Sequence, residues 1–182
     1  LAIGVETSAR LMALAGQSDN ALKRIKLFRE TVGRNPSLSA LAEDIREGSV
    51  AAPEKLTTKE GTSLAIYAAT AALSGQSESD LPGVYFALAL QLDPNLDAAR
   101  TLWADTLDRA GRRPEAIGLL RGVPETSIYH TTAQGQLAWA LRRENRTDEA
   151  LILAKQSLGK TKDRNMRNQL ADLLQSLDRD GE

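Results

Sequence analysis

The chain has 182 residues, 23 basic against 24 acidic side chains, and no cysteine. That length suits about one domain and can bury most of its apolar surface without staples. The missing cysteine excludes disulfides and thiolate metal sites, and the charge balance offers nothing to draw a nucleic acid strand or an anionic membrane.

Apolar residues recur at i, i+3 and i+4 almost throughout, strand-like alternation is hard to find, and aromatics make up only 4% of the chain. The expected class is all-α, with about ten helices read from that periodicity. Helices are predicted over 2–15 and 19–33, joined at Gly16, and a short helix over 37–47 follows Asn35-Pro36. Residues 48–57, with Gly48 and Pro53, read as an irregular connection. Thr57 and Glu60 have the spacing of a capping box for a helix that runs to residue 74. A helix over 81–92 stops at Leu92-Asp93-Pro94, because a proline disfavours helical backbone in the residue before it.

Next comes a helix over 97–110, a turn at Gly111-Arg112-Arg113, and a helix over 114–122 with Pro114 in its first turn, where a missing N–H costs nothing. Helices over 128–144 and 147–159 follow. Thr147 is expected to cap the second of these, with Asp148 and Glu149 at its positive end. A last helix over 163–178 carries Leu170, Leu173, Leu174 and Leu177. No apolar run reaches the roughly 18 residues of a bilayer span, so no direct membrane insertion is expected. The chain starts at Leu1 inside a helical pattern and stops at a turn-like Asp180-Gly181-Glu182, so it reads as a piece of a longer protein. Its compartment, cytoplasm or periplasm, and its oligomeric state stay open.

The residues GRRPEA at 111–116 and NRTDEA at 145–150 lie 34 positions apart. At the same step Ala99, Ala104, Leu107, Arg109 and Leu119 return as Ala133, Ala138, Leu141, Arg143 and Leu153. A fixed period of this size signals stacked helical hairpins, each covering its neighbour's apolar face. The expected organisation is a single domain over 1–182, with repeat units at 63–96, 97–130 and 131–162 and the first helix of a further unit at 163–182. A similar pair spans 1–35, where GQSDNA at 16–21 has the Gly-to-Ala spacing of GRRPEA. Residues 36–62 are a degenerate helix plus loop that breaks the period. Such arrays usually present surfaces to partners and rarely house catalytic centres.

The repeats resemble the tetratricopeptide family, whose unit wants small residues where its two helices, A and B, cross. Ala9, Thr70, Ala104 and Ala138 stand at that position on helix A, and Ala21, Pro82, Ala116 and Ala150 on helix B. Phe86, Ala89 and Pro94 match the family's bulky, small and proline positions. The stretch from Val84 to Pro94, followed by Val123-Pro124-Glu125-Thr126-Ser127, resembles a group of long tetratricopeptide proteins common in alphaproteobacteria.

The resemblance implies a right-handed superhelical solenoid of antiparallel helix-turn-helix repeats. Its concave groove, lined by A helices, would take an extended peptide or a partner helix. The groove positions fall on Tyr67, Thr101, Asp105, Asp108, Arg109, Thr132, Gly135, Trp139, Arg142 and Arg143. The Lys/Asn/Arg pattern with which chaperone-tail binders of the family hold a terminal carboxylate is missing. The expected function is a non-enzymatic protein-interaction scaffold within a larger bacterial protein. The alternative is a regulatory or substrate-docking arm of an enzyme whose catalytic domain lies elsewhere; a ligand-free spacer is a third reading.

Catalytic signals are weak. His130 is the one histidine, has only Thr131 and Thr132 as polar neighbours in sequence, and reads as a surface or capping residue. The pairs Asp93/Asp97 and Asp105/Asp108 read as solvated faces and caps. No Gly-rich phosphate loop and no clustered metal ligands occur, so no cofactor and no metal are expected. Trp103 falls at a packing position. Trp139 falls at an open one, where it would anchor a partner or pack on the neighbouring repeat. Gly135, four residues before Trp139, would leave a notch beside the indole for a partner's apolar side chain.

Overall fold

The computed structural model describes residues 2–53, 55–73, 81–161 and 164–179, the side chains of 164–165 and 177–179 excepted. The terminal turn at 180–182 and the side chain of Leu177 therefore lie outside the described residues. Among the described residues there are ten helices and no strand: α1 (Ala2–Leu14), α2 (Ser18–Thr31), α3 (Pro36–Glu47), α4 (Thr58–Leu73), α5 (Leu81–Leu92), α6 (Asp97–Arg109), α7 (Arg113–Arg121), α8 (His130–Arg143), α9 (Thr147–Lys160) and α10 (Arg164–Arg179). None is long and apolar enough to cross a membrane.

The helices pair as hairpins, α1 with α2, α4 with α5, α6 with α7 and α8 with α9, and α10 packs on α9 and α8. Three of the hairpins share one turn. Gly16 and Gly111 both have φ of 79° and Asn145 has φ of 60°. The residue after each donates its N–H back into the helix: Gln17 to the Met12 carbonyl at 2.9 Å, Arg112 to Leu107 at 2.8 Å and Arg146 to Leu141 at 2.9 Å. This left-handed C-terminal turn closes helix A and satisfies carbonyls that would otherwise lack partners. Asn145 stands 34 residues after Gly111, and asparagine tolerates the left-handed region better than most residues with a side chain. The next residues also repeat: the Arg112 guanidinium grips Glu115 through bonds of 2.8 and 2.7 Å, and Arg146 grips Glu149 at 2.7 and 2.8 Å.

Thr57 and Glu60 form the expected capping box, the Glu60 carboxylate accepting from the Thr57 N–H at 2.7 Å and the Thr57 hydroxyl from the Glu60 N–H at 3.3 Å. Asn35 caps α3, its side chain accepting from the Leu38 N–H at 3.2 Å. Two local expectations are corrected. Thr147 is the first residue of α9 and does not cap it, for Arg146 occupies the cap position and reaches forward to Glu149. Helix α8 begins at His130, two residues later than expected, because Ser127 ties up the preceding turn: its hydroxyl accepts from the Tyr129 N–H and its carbonyl from the His130 N–H.

The crossing positions are tightly filled. Ala9, Ala21, Ala104, Ala116, Ala138 and Ala150 are all 0% exposed. Thr70 and Pro82 are buried in the α4–α5 hairpin, where the buried Ser63 hydroxyl donates to the Ala89 carbonyl at 2.7 Å. Two apolar cores result. One joins α1, α2 and α3 through Ile25, Phe28, Leu38, Leu41 and Ile45. The other runs from α6 to α10 through Leu107, Ile117, Leu120, Leu137, Leu141, Leu170 and Leu173. Trp103 is half-buried against the second core, with its indole nitrogen facing Gly83 of α5, in keeping with a packing position.

Candidate partner-binding cleft

The A helices α6 and α8 and the helix α10 line a cleft of about 420 Å³. Asp105, Asp108, Thr132, Trp139 and Arg143, five of the groove residues expected from the sequence, meet there. Asp108, only 12% exposed at its side chain, accepts from Arg143 of α8 and lies 3.6 Å from the Arg113 guanidinium of α7. One carboxylate thus ties three helices together. Asp105 pairs with Arg109 one turn along α6.

Trp139 is half-buried. The guanidiniums of Arg142 and Arg143 lie 5.9 and 6.0 Å from its ring centre, within reach of the negative face of the indole. Part of the ring packs on the core that runs from α6 to α10, and part lines the cleft.

The other five expected residues are placed differently. Thr101 is 4% exposed, and its hydroxyl donates to its own helix, at the Asp97 carbonyl (2.9 Å). Threonine in a helix often satisfies itself this way, and here it leaves nothing for a ligand. Gly135 is buried, and a Cβ built on it would run into the sulfur and terminal methyl of Met166. The notch expected beside Trp139 is filled by α10 of the same chain. Arg109 is exposed on the far side of its pair with Asp105, and Arg142 stands over the indole. Neither lines the cleft. Tyr67 lies away from it, beside Tyr129; burial, and then that neighbouring phenol, push its ionisation well above the ordinary value.

Met166, Gln169 and Gln136 also line the cleft, and the sequence reading did not name them. A signal existed for two: one further 34-residue step from Thr132 and Gly135 lands on Met166 and Gln169. His130, half-buried at the start of α8, faces the Val123 carbonyl at 3.4 Å. It lies outside this cleft.

No protein-family model and no curated protein sequence matches the chain. Among solved structures it is similar to a thermophilic TPR protein of Thermus thermophilus, at 18% identity and a TM-score of 0.51, over 93% of this chain and 98% of that one. At that identity the likeness speaks for fold. The chain has a tetratricopeptide-like helical-repeat fold.

Proposed function

We propose that this protein is a non-enzymatic interaction scaffold that takes a peptide or partner helix in the α6–α8–α10 cleft. The observation that carries the reading is the half-buried Trp139, held under two guanidiniums at the wall of a cleft of about 420 Å³. A rigid aromatic anchor beside polar groups is the usual make-up of a binding hot spot. Asp105, Asp108 and Arg143 border the cleft with both signs of charge, which favours a mixed-charge polypeptide over a nucleic acid strand. Thr132, Gln136 and Gln169 supply neutral donors and acceptors to an extended backbone.

The repeating crossing alanines support the same reading, since they commit the chain's sequence to stacking surfaces and not to a reactive centre. The test is selection of binders from a displayed peptide library against the wild-type protein, followed by titration of Trp139→Ala and of Gln169→Arg, a change at an exposed residue of the cleft wall. Binders should lose affinity in both variants at unchanged helicity, and should shift tryptophan emission in the wild type. Binders indifferent to both substitutions would place the interaction elsewhere.

A further inference from the structure

We propose that the cleft between α2 and α3 is a second docking site, which takes an acidic amphipathic helix from a partner into the place where the repeat lacks a helix B.

The argument starts from α3. In three hairpins the small crossing residue of helix A follows a larger one and precedes an apolar residue by three: Ser8-Ala9 with Met12, Trp103-Ala104 with Leu107, Leu137-Ala138 with Leu141. Helix α3 carries the same pattern in Leu41-Ala42 with Ile45, all three buried. By its own sequence α3 is a helix A, yet no helix B follows it. It ends at Gly48 in the left-handed conformation. The next residues turn toward α1, where Arg10 donates to the Ala51 carbonyl at 3.2 Å and Val50 packs on the α1–α3 core.

The later repeats show what the missing helix would do. Helix α9 lies along α8 and sends Glu149 across to Arg121 of α7, 2.9 Å away. On α2 and α3 the corresponding face is an open cleft of about 440 Å³. Its floor is apolar, made by Ile25, Phe28, Leu38 and Ala42. Lys26, Arg29, Arg34 and Arg46 stand around it against a single acid, Glu43. Lys26 follows the crossing Ala21 by five residues, as Arg121 follows Ala116. Its present pairing with Glu30, at 3.8 Å between two exposed side chains, is of the weak surface kind and is easily exchanged.

These features specify the occupant's chemistry. It is a helix, because the A helices α1, α4, α6 and α8 are each covered by a helix at this place and the floor residues of the cleft stand on two helices. It carries a small residue to cross Ala42, and an acid just before it to meet Lys26, as Glu149 precedes Ala150. Further acids on its flanks would face Arg29 and Arg46.

The test uses a fluorescein-labelled synthetic peptide of residues 147–160 in which Lys155 and Lys160 are replaced by glutamate. Anisotropy and circular dichroism would be recorded against the whole protein. The peptide should bind and gain helix, and the unaltered 147–160 peptide should bind more weakly. The triple variant Lys26→Glu, Arg29→Glu, Arg46→Glu, whose substitutions are all on exposed side chains, should weaken binding about tenfold or more with its own helicity unchanged. Ala42→Leu should do the same by filling the crossing point. Absence of binding to the wild type would overturn the proposal, and so would binding that the triple variant retains. Trp139→Ala separates the two sites: loss of this peptide in that variant would assign it to the α6–α8–α10 cleft and overturn the proposal. A concentration-dependent dimer abolished by Ala42→Leu would make a second copy the occupant, and would overturn it too.

Discussion

The hydroxyls of Ser37 and Tyr129 lie 2.8 Å apart, although 92 positions separate them in the chain. Ser37 is in the first turn of α3 and Tyr129 in the turn before α8, so this bond joins the N-terminal core to the C-terminal one. Burial raises the ionisation of the Tyr129 phenol, partly offset by its hydrogen bonds to Ser37 and Asn35. Tyr129→Phe should cost roughly 0.5–1.5 kcal/mol, the usual net worth of such a bond. In a double-mutant cycle with Ser37→Ala, denaturant melts should show the two changes to be non-additive. Additive losses would mean that the hydroxyls do not act as a pair.

Tyr67 and Tyr129 together predict an alkaline weakness. Both phenols are held above their ordinary value of 10.0, burial being the first cause in each. The folded state thus keeps a proton that the unfolded chain gives up. The associated stability is complete below pH 10 and is lost as the pH rises beyond it. Melting temperature should fall above that point, and the fall should be shallower in a Tyr67→Phe, Tyr129→Phe protein. An unchanged slope would assign the effect to other groups.

At the crossing points, Ala116→Leu or Ala150→Leu should destabilise the fold by roughly 1–3 kcal/mol, because a larger side chain must push paired helices apart. Both alanines are 0% exposed. Urea midpoints that do not move would show that the helices accommodate the extra volume.

Gly135 gives a sharper version of the same test. Gly135→Leu should evict the Met166 side chain and loosen α10, with a loss of roughly 1–3 kcal/mol. Gly135→Ala paired with Met166→Ala should recover much of it, since alanine is the better helix former by about 1 kcal/mol. Hydrogen exchange in α10 is the readout; protection that survives Gly135→Leu would contradict the contact.

Limited trypsin digestion should cut first between residues 48 and 57, before any helix-helix turn. Lys55 is exposed there, and the described residues 49–53 and 55–57 belong to no helix. First cleavage at Arg112 or Arg113 would count against that order.

Much of this molecule could be read from the 34-residue step, for a physical reason. Each unit packs mainly on its neighbours, so local periodicity fixes local geometry. The step placed the turn at Gly111 and Asn145, and the tetratricopeptide resemblance laid over it placed the crossing alanines and five residues that line the cleft. It reached Met166 and Gln169 as well, had it been carried once further. It failed at Thr101, whose hydroxyl could turn to solvent or to its own helix, a choice that only packing makes. It also hid α3. Ala42 follows Ala9 by 33 residues and precedes Thr70 by 28, so a fixed-period search passes over it. The Ser37–Tyr129 bond was beyond reach, because nothing local says where two distant turns will meet.

That bond has a mechanical consequence. Helices that cover only their neighbours form a body that responds to load as a spring does, by small slips at every joint. Here the N-terminal and C-terminal cores are separate apolar clusters, and a neutral hydroxyl pair is one of the contacts between their two sides. Drawing the two sides apart would break that pair, while the two clefts, one built within each side, would each keep their own lining.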